Sequence, residues 1–179
     1  MKEVILIMLT VFLIACSKDP TPDDTPPIVG ENFQGGTVFY VAPDNSFCLI
    51  GAESDLPQAP WTDKAFTLID ADNNSLGGGI INTEKIVTAI GPGIYAAKEC
   101  YDLVLEGYDD WYLPNENELT TMDRALKYEL SNTFDDWWTS KEGGLEKSIY
   151  ALTGPTRMNY QNSKKDIPLR VRPIRKATL

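Results

Sequence analysis

The sequence contains no histidine among its 179 residues. This absence excludes Ser-His-Asp and Cys-His catalysis, zinc sites built on histidine, and ordinary imidazole acid–base chemistry. Positive charge is also scarce, because 16 Lys and Arg stand against 26 Asp and Glu, a formal net charge of −10. Since nucleic acids are bound by basic surfaces, we predict no nucleic-acid partner.

The chain also lacks an apolar run long enough to cross a membrane as a helix. The N-terminal run VILIMLTVFLI, from Val4 to Ile14, has eleven residues, about half of the ~20 that a spanning helix needs. This pattern predicts a signal peptide over residues 1–15. The run ends in Leu13-Ile14-Ala15-Cys16, which resembles the lipobox of bacterial lipoproteins.

In those lipoproteins the cysteine becomes the mature N-terminus and carries acyl chains that hold the protein to a membrane. Cys16 is therefore the predicted lipidation site, and the membrane is a predicted partner through this lipid anchor. The alternative is a membrane-anchoring helix with an incidental cysteine.

Residues 16–30 are predicted to be a tether rather than part of a folded domain. The segment from Ser17 to Gly30 contains four prolines and three aspartates, and such a composition stays extended and solvated. Lys18-Asp19 resembles the charged signal that sends some lipoproteins to the outer face of the cell envelope. We expect an outer-membrane lipoprotein, surface-exposed or periplasmic, with one globular domain at residues 31–179.

Cysteine is rare, with three in the chain. Once Cys16 is assigned to lipidation, Cys48 and Cys100 are an even pair in an exported protein, which allows a disulfide between them. The alternative is two buried free thiols, because cysteine is also a common small core residue. The run Gly77–Gly79 lacks the Lys-Ser/Thr pair of a phosphate-binding loop. We predict no cofactor.

The order of strand-like and helical segments predicts an α+β fold. Residues 35–53 contain two β-branched and aromatic runs around a turn at Pro43–Ser46, which predicts a β-hairpin. Asn82 is the predicted N-cap of a first helix, and a second helix is predicted over residues 94–105. Further strands are predicted at residues 137–142, 148–154 and 168–175.

The segment GYDDWYLPNENEL, residues 107–119, combines acidic, amide and aromatic side chains. Pro114 ends a predicted short strand, since proline cannot donate to a β-ladder. Asn115 is in N-cap position and Glu118 follows three residues later, which predicts a capping box and a third helix. The alternative is a calcium site, because oxygen ligands suit that ion. Its ligands would be Asp109, Asp110, Asn115 and Glu116.

Cationic side chains concentrate near the C-terminus, at Arg170, Arg172, Arg175 and Lys176. Arg170 and Arg172 share one face of the last predicted strand, because side chains alternate along a strand. The four cations either pair with carboxylates of this acidic chain or form an anion-binding strip.

Four segments occur in the order GGTVFYV, INTEKIVTAIGPGIYAAKECYDLVLEGYDDWYLPNENEL, WWTSKE and LRVRPIR. Together they resemble the C-terminal domain of collagen-like bacterial surface adhesins of the Lcl type, over residues 34–176. That family's signature has an aromatic-x-Leu-Pro-Thr/Ser-x-x-Glu-Leu segment, a later Tyr-Trp-Ser-Ser segment and a closing Val-Arg-Pro-Val-Arg. The matching positions are Trp111, Leu113, Pro114, Glu118 and Leu119, then Trp138 and Ser140, then Val171, Arg172, Pro173 and Arg175.

The resemblance implies a C-type-lectin-like α+β fold, in which two or three helices pack beside small antiparallel sheets and the chain ends come together. It also implies a surface protein, and some members of the family bind glycans such as sulfated polysaccharides. This chain has no collagen-like region, so trimerisation through such a region is not implied. Leu113 replaces the glutamate of the Glu-Pro-Asn calcium motif of sugar-binding lectins, so calcium-dependent sugar binding is not implied either.

We predict a non-catalytic, adhesin-like binding module whose ligand is a glycan or host polymer. Aromatic side chains stack on sugar rings, and amides bond to sugar hydroxyls. The alternative is a structural or protein-interaction lipoprotein of the envelope without glycan affinity. An enzyme is not predicted, because without histidine an acid–base pair would have to come from carboxylates, tyrosine or lysine. The predicted ligand contacts lie in the polar loop before the last strand, at Arg157, Asn159, Tyr160, Gln161 and Asn162.

Overall fold

The three helices lie between four early strands and five late strands, so the protein is of the mixed α+β class that the sequence predicts. The computed structural model describes residues 25–64, 67–126, 135–152 and 159–179. These residues form two sheets and three helices. In chain order the elements are β1 (Asn32–Phe33), β2 (Gly36–Val41), β3 (Phe47–Gly51), β4 (Leu56–Ala59), α1 (Gly79–Ile90), α2 (Ala96–Tyr101), α3 (Glu116–Ala125), β5 (Asp136–Glu142), β6 (Lys147–Leu152), β7 (Asn159–Lys164), β8 (Leu169–Val171) and β9 (Ile174–Thr178).

The first sheet has the strand order β1-β2-β3-β9, with every neighbouring pair antiparallel. The predicted hairpin is confirmed, because β2 pairs with β3 and Val38 lies opposite Ile50. Asp44 stabilises the turn: its Oδ1 accepts a hydrogen bond from the N–H of Ser46 at 3.1 Å, a local bond typical of turns. β9 pairs with β3, so this sheet joins the first three strands to the last one.

The second sheet has the strand order β4-β8-β5-β6-β7. β5 and β8 run parallel, and the other neighbours are antiparallel. The single strand predicted at residues 168–175 is wrong, because β8 and β9 lie in different sheets. Pro173 separates them: it has no N–H for a ladder, and its carbonyl accepts a bond from the N–H of Ala52 at 3.0 Å.

α1 begins at Gly79, three residues before the predicted N-cap Asn82. The prediction is wrong because Asn82 bonds to a distant loop instead. Its Oδ1 accepts from the N–H of Asn73 at 2.9 Å, and its Nδ2 donates to the carbonyl of Asn73 at 2.8 Å. A Cβ on Gly79 would lie 2.3 Å from Oε2 of Glu118, so only glycine fits at this start.

α2 ends at Tyr101, earlier than the predicted Leu105. The following residues turn back, and Leu105 pairs with Tyr108 in an antiparallel bridge. Glu106 and Gly107, between them, have φ values of 53° and 83°, which is typical of a type I′ turn. Because residues 105–108 form this turn, they cannot continue α2.

Buried side chains form three hydrophobic clusters, and tryptophan contributes to each. Trp61 and Trp138 belong to the first cluster, Trp137 to the second and Trp111 to the third. Their ring N–H groups are satisfied: for example, Nε1 of Trp61 donates to the carbonyl of Thr139 at 3.0 Å. Bonded indoles can be buried without the cost of an unpaired donor.

Cys48 and Cys100 are free, so the disulfide considered above is not formed. Cys48 lies in the cluster of Trp111 and Cys100 in that of Trp61, which places the two thiols in different parts of the core. Burial raises the pKa of both thiols. They therefore act as small core residues.

No helix in the described part of the chain is long and apolar enough to cross a membrane. The predicted signal peptide, Cys16 and the tether up to residue 24 lie outside the described residues. The division of the chain into signal peptide, tether and domain stays a prediction.

Candidate functional site

The polar side chains at the start of α3 are occupied by the protein itself. The capping box is confirmed: Oδ1 of Asn115 accepts from the N–H of Glu118 at 3.0 Å, and Oε2 of Glu118 accepts from the N–H of Asn115 at 2.8 Å. Glu118 is fully buried. Its Oε1 accepts from the hydroxyl of Tyr112 at 3.0 Å and from the N–H of Gly77 at 2.8 Å. Glu118 therefore ties three parts of the chain together.

Burial raises the pKa of Glu118, although its hydrogen bonds act in the opposite direction. Removal from water thus costs the carboxylate more than its donors return. Burial likewise raises the pKa of Tyr112, and the neighbouring Glu118 adds to that rise. Both side chains are fully buried.

The next residues of α3 hold the loop that precedes α1. Asn117 donates through Nδ2 to the carbonyl of Asn74 at 2.6 Å. Asn74 in turn donates through Nδ2 to Oε2 of Glu116 at 3.1 Å. Lys141 on β5 donates to the same Glu116 oxygen at 2.7 Å. The amides and carboxylates of residues 115–118 thus connect a loop, a helix and a strand.

The four oxygen donors considered for calcium are not brought together. Asp110 is paired with Arg175 at 2.6 Å, and Glu116 is paired with Lys141 at 2.7 Å. Asn115 caps α3. Across the described ranges, no group of three His, Cys, Asp or Glu side chains could hold a metal ion.

The C-terminal arginines pair with carboxylates, as one of the two alternatives predicts. Nε of Arg172 lies 2.5 Å from Oδ1 of Asp55, and Nη1 of Arg170 lies 3.2 Å from Oδ2 of the same residue. Arg175 pairs with Asp110. These ion pairs join distant segments and leave the arginines engaged.

The predicted ligand contacts do not form an open loop. Arg157 lies outside the described residues. Asn159, Tyr160, Gln161 and Asn162 lie on β7, at the edge of the second sheet, and this position corrects the prediction of a loop. The strand forms because these polar residues pair in register with β6 over its full length.

Two of these four side chains have structural roles. The hydroxyl of Tyr160 donates to the carbonyl of Glu116 at 2.8 Å and lies 2.6 Å from Oγ1 of Thr120. Asn162 packs against the β5–β6 turn so closely that a Cβ on Gly143 would lie 1.9 Å from its Oδ1. Asn159 and Gln161 are exposed on the edge strand.

A surface cleft of about 380 Å³ lies between α1, α2 and residues 109–112, and it is named the helix cleft here. Its wall includes the ring of Tyr101, which is 48% exposed. Glu84 on α1 and Asp109 also line it, and both are exposed. The full lining is Ile80, Thr83, Glu84, Tyr101, Asp109, Asp110, Trp111 and Tyr112.

Neither Glu84 nor Asp109 makes a side-chain hydrogen bond or ion pair to any other described residue. Lys98 lies 5.8 Å from the centroid of the Tyr101 ring. The helix cleft thus combines an exposed aromatic ring, two unengaged carboxylates and an apolar residue, Ile80. Such a set can stack on an apolar ring face and accept hydrogen bonds from hydroxyl groups.

Tyr101 and Glu84 were not predicted as site residues from the sequence. One feature of the sequence indicates Tyr101 as a binding residue. It lies outside the buried face of α2, which consists of Ala96, Ala97 and Cys100. An aromatic residue on the exposed face of a helix is a candidate binding residue. That Glu84 and Asp109 line the same cleft could not be predicted from the sequence, because it depends on the packing of α1 against residues 109–112.

A scan of the chain against protein-family models finds no match, and a search of curated proteins finds none. The resemblance to Lcl-type domains therefore rests on the ordered motifs of the sequence.

Proposed function

We propose that the protein is a lipid-anchored binding module of the bacterial cell envelope that recognises a glycan through the helix cleft, without catalysis. The observation that carries the proposal is the exposed ring of Tyr101 beside the unengaged carboxylates of Glu84 and Asp109. The anchor is a lipid on Cys16 in the outer membrane. The resemblance to Lcl-type domains supports the proposal, because some members of that family bind glycans.

The chemistry of the helix cleft suits a sugar. The C–H face of a pyranose ring stacks on an aromatic face, and this burial provides affinity without charge. A carboxylate accepts two hydrogen bonds from neighbouring hydroxyls, which orients the ring. Tyr101 supplies the stacking surface, and Glu84 and Asp109 supply the acceptors.

The charge of the cleft favours a neutral glycan over a sulfated one. Glu84 and Asp109 are both acidic, and the chain has a formal net charge of −10. A sulfate group beside them would meet like charges, which repel at close range. Three of the four cations near the C-terminus, Arg170, Arg172 and Arg175, are instead engaged in ion pairs, and Nζ of Lys176 lies 4.3 Å from the centroid of the Phe47 ring. We therefore expect neutral sugars, unlike the sulfated ligands that the resemblance implies.

We also propose that the α+β architecture is of the C-type-lectin-like kind. The sheet that joins β1, β2 and β3 to β9 supports this, because it brings an early hairpin and a late strand together. The three helices beside two small sheets are in keeping with it. Binding in this proposal uses no calcium, in agreement with Leu113 at the position of the lectin glutamate.

The exposure of Glu84 and Asp109 supports binding rather than hydrolysis. A glycosidase needs one carboxyl group that stays protonated, and an apolar environment provides this. Both carboxylates of the helix cleft are instead exposed to water. The purified chain is expected to release no reducing sugar from the glycans it binds.

A glycan array with the full-length chain in detergent tests the proposal. We expect binding to one class of neutral glycans, unchanged when a chelator replaces calcium. Tyr101→Ala should lower the affinity up to about tenfold, because an aromatic stacking contact contributes about 0.5–1.5 kcal/mol beyond its buried area. Glu84→Gln with Asp109→Asn should also weaken binding, since amides offer fewer acceptor sites than carboxylates.

The matched control is Leu145→Ala with Glu146→Gln, at an exposed turn outside the helix cleft. These changes should leave the affinity as it is. An array on which no glycan binds would contradict the glycan proposal and favour the alternative, a structural or protein-interaction lipoprotein. Glycan binding that survives Tyr101→Ala would place the sugar elsewhere.

A further inference from the structure

A second cleft, of about 510 Å³, is lined by residues from both sheets and from the loop after α2; it is named the edge cleft here. β1 is the terminal strand of the first sheet, and β4 is the terminal strand of the second. Asn32 and Phe33 of β1 and Leu56 of β4 all line the cleft. Among the described residues, no further strand pairs with the outer edge of β1 or β4. Unpaired strand edges are templates for an added strand.

Part of the wall of the edge cleft is apolar. Phe33, Leu103 and Leu105 line it and are half-buried against the cluster of Trp111. Leu56 lines it from the opposite sheet. The volume is in the range of cavities that hold a ligand or several side chains. An occupant with an apolar side chain would remove these walls from water.

The rim of the edge cleft carries unneutralised negative charge. Asp55, at its base, is already paired with two arginines. Glu53 and Glu106 also line the cleft, and both are exposed. Neither of their side chains has a hydrogen bond or ion pair within the described ranges. The charge that complements this rim is positive.

Two tight turns border the edge cleft and pack against each other. Gln34 and Gly35 form a tight turn between β1 and β2, with φ values of 45° and 92°. A Cβ on Gly35 would lie 3.2 Å from Cβ of Glu106, so the turn at residues 33–36 packs directly against the turn at residues 105–108. Glu106 occupies the left-handed region, where glycine or asparagine would be at lower energy. The chain keeps a carboxylate at this strained position at the mouth of the cleft.

We propose that the edge cleft binds an extended polypeptide segment that presents a lysine or arginine beside an apolar side chain. Backbone groups of the segment would pair with the free edge of β1. Its apolar side chain would pack on Phe33 and Leu105, and its cation would lie between Glu53 and Glu106. Side chains alternate along a strand, so a cation and an apolar group at neighbouring positions reach the rim and a wall respectively.

Selection from a random heptapeptide library displayed on phage, with the full-length chain in detergent as the target, tests this proposal. We expect the selected peptides to share a lysine or arginine next to an apolar residue. The Glu53→Gln and Glu106→Gln double variant should bind these peptides about tenfold more weakly, because it removes both carboxylates that the cation of the peptide would contact. Added salt should weaken binding to the wild-type chain in the same way.

The matched control is the Glu84→Gln and Asp109→Asn double variant, which removes the same charge from the helix cleft. It should bind the selected peptides as the wild-type chain does, and a thermal melt of each variant verifies folding. No selected peptides, peptides without a basic residue, or peptides that bind the Glu53 and Glu106 variant with full affinity would each overturn the proposal. Tyr101→Ala separates this site from the glycan site, since that substitution should weaken glycan binding and leave peptide binding unchanged.

Discussion

Arg175 and Asp110 form a two-point ion pair, with Nε 2.6 Å from Oδ1 and Nη2 2.9 Å from Oδ2. The same guanidinium donates through Nη1 to the carbonyl of Gln34 at 2.9 Å. Its central carbon lies 3.8 Å from the centroid of the Tyr108 ring. One buried side chain on β9 thereby holds the turn at residues 33–36 and the segment that follows the turn at residues 105–108.

Arg175→Lys should destabilise the fold by about 2–4 kcal/mol. A lysine keeps the charge but cannot make the two-point contact or reach Gln34 at the same time, and the site is buried. Urea unfolding followed by tryptophan fluorescence measures the change. Arg170→Lys is the control, because that side chain is 38% exposed and its loss should cost less than about 1 kcal/mol. Equal losses in the free energy of unfolding of the two variants would show that the contacts of Arg175 stabilise the fold no more than those of Arg170.

Glu118→Gln should destabilise the fold by about 1–3 kcal/mol. The substitution replaces one of two acceptor oxygens by an NH₂ group, which would face the N–H donors of Asn115 or Gly77, and a buried donor without an acceptor is costly. Asn159→Asp, an isosteric change at an exposed position, is a control that should have little effect.

The effect of Glu118 should also depend on pH in a defined direction. The pKa of Glu118 in the folded state is raised above its ordinary value of 4.5, so the folded state binds the proton more tightly than the unfolded state. This contribution to stability is full below pH 4.5 and is lost as the pH rises through the raised folded pKa. The stability advantage of the wild type over Glu118→Gln should therefore shrink from pH 4.5 toward neutrality. A growing advantage over that range would contradict the raised pKa.

Lys165 and Glu142 form an ion pair with both side chains buried. Nζ of Lys165 also lies 4.5 Å from the centroid of the Trp61 ring, and Oε2 of Glu142 accepts from the N–H groups of Ile69 and Asp70 at 2.8 Å each. Lys165→Met should cost about 3–5 kcal/mol, because it leaves a buried carboxylate without its counter-charge. Unfolding in urea measures this loss.

The Lys165→Met and Glu142→Gln double variant should regain part of that stability. The glutamine oxygen can still accept from the two backbone N–H groups, and no unpaired charge remains. A double variant less stable than Lys165→Met alone would show that the ion pair is not the dominant interaction at this position.

Cys48 and Cys100 should resist alkylation in the folded protein. Both are buried, and burial raises the pKa of each thiol, which keeps them in the unreactive protonated form. Iodoacetamide should label both in urea without prior reduction, as measured by intact-protein mass spectrometry. A requirement for a reductant in urea would show that Cys48 and Cys100 form a disulfide, which would contradict the free thiols of the structure.

Features that depend on neighbouring residues were predicted correctly from the sequence. The turn at Pro43–Ser46 uses a bond between Asp44 and Ser46, and the capping box uses bonds between Asn115 and Glu118. In each case the partners are at most three residues apart. Their geometry follows from backbone and side-chain reach alone, so short motifs are sufficient to predict them.

Features that depend on distant partners were missed. Asn82 has the side chain of an N-cap, but its amide bonds to Asn73 across a folded loop. Tyr160 has the side chain of a ligand contact, but its hydroxyl bonds to Glu116 on α3. A side chain can satisfy its hydrogen bonds in several ways, and the sequence does not say which partner comes near.

Composition and short motifs were sufficient to predict the α+β class, the acidic character, the absence of histidine chemistry, and the hairpin and capping motifs. The folded arrangement was needed to show that Arg175 pairs with Asp110, that β8 and β9 belong to different sheets, and that Tyr101, Glu84 and Asp109 line one cleft. The physical reason is the range of the interactions. Local motifs close within a few residues, whereas ion pairs, sheet edges and clefts need segments that only the packing of the whole domain brings together.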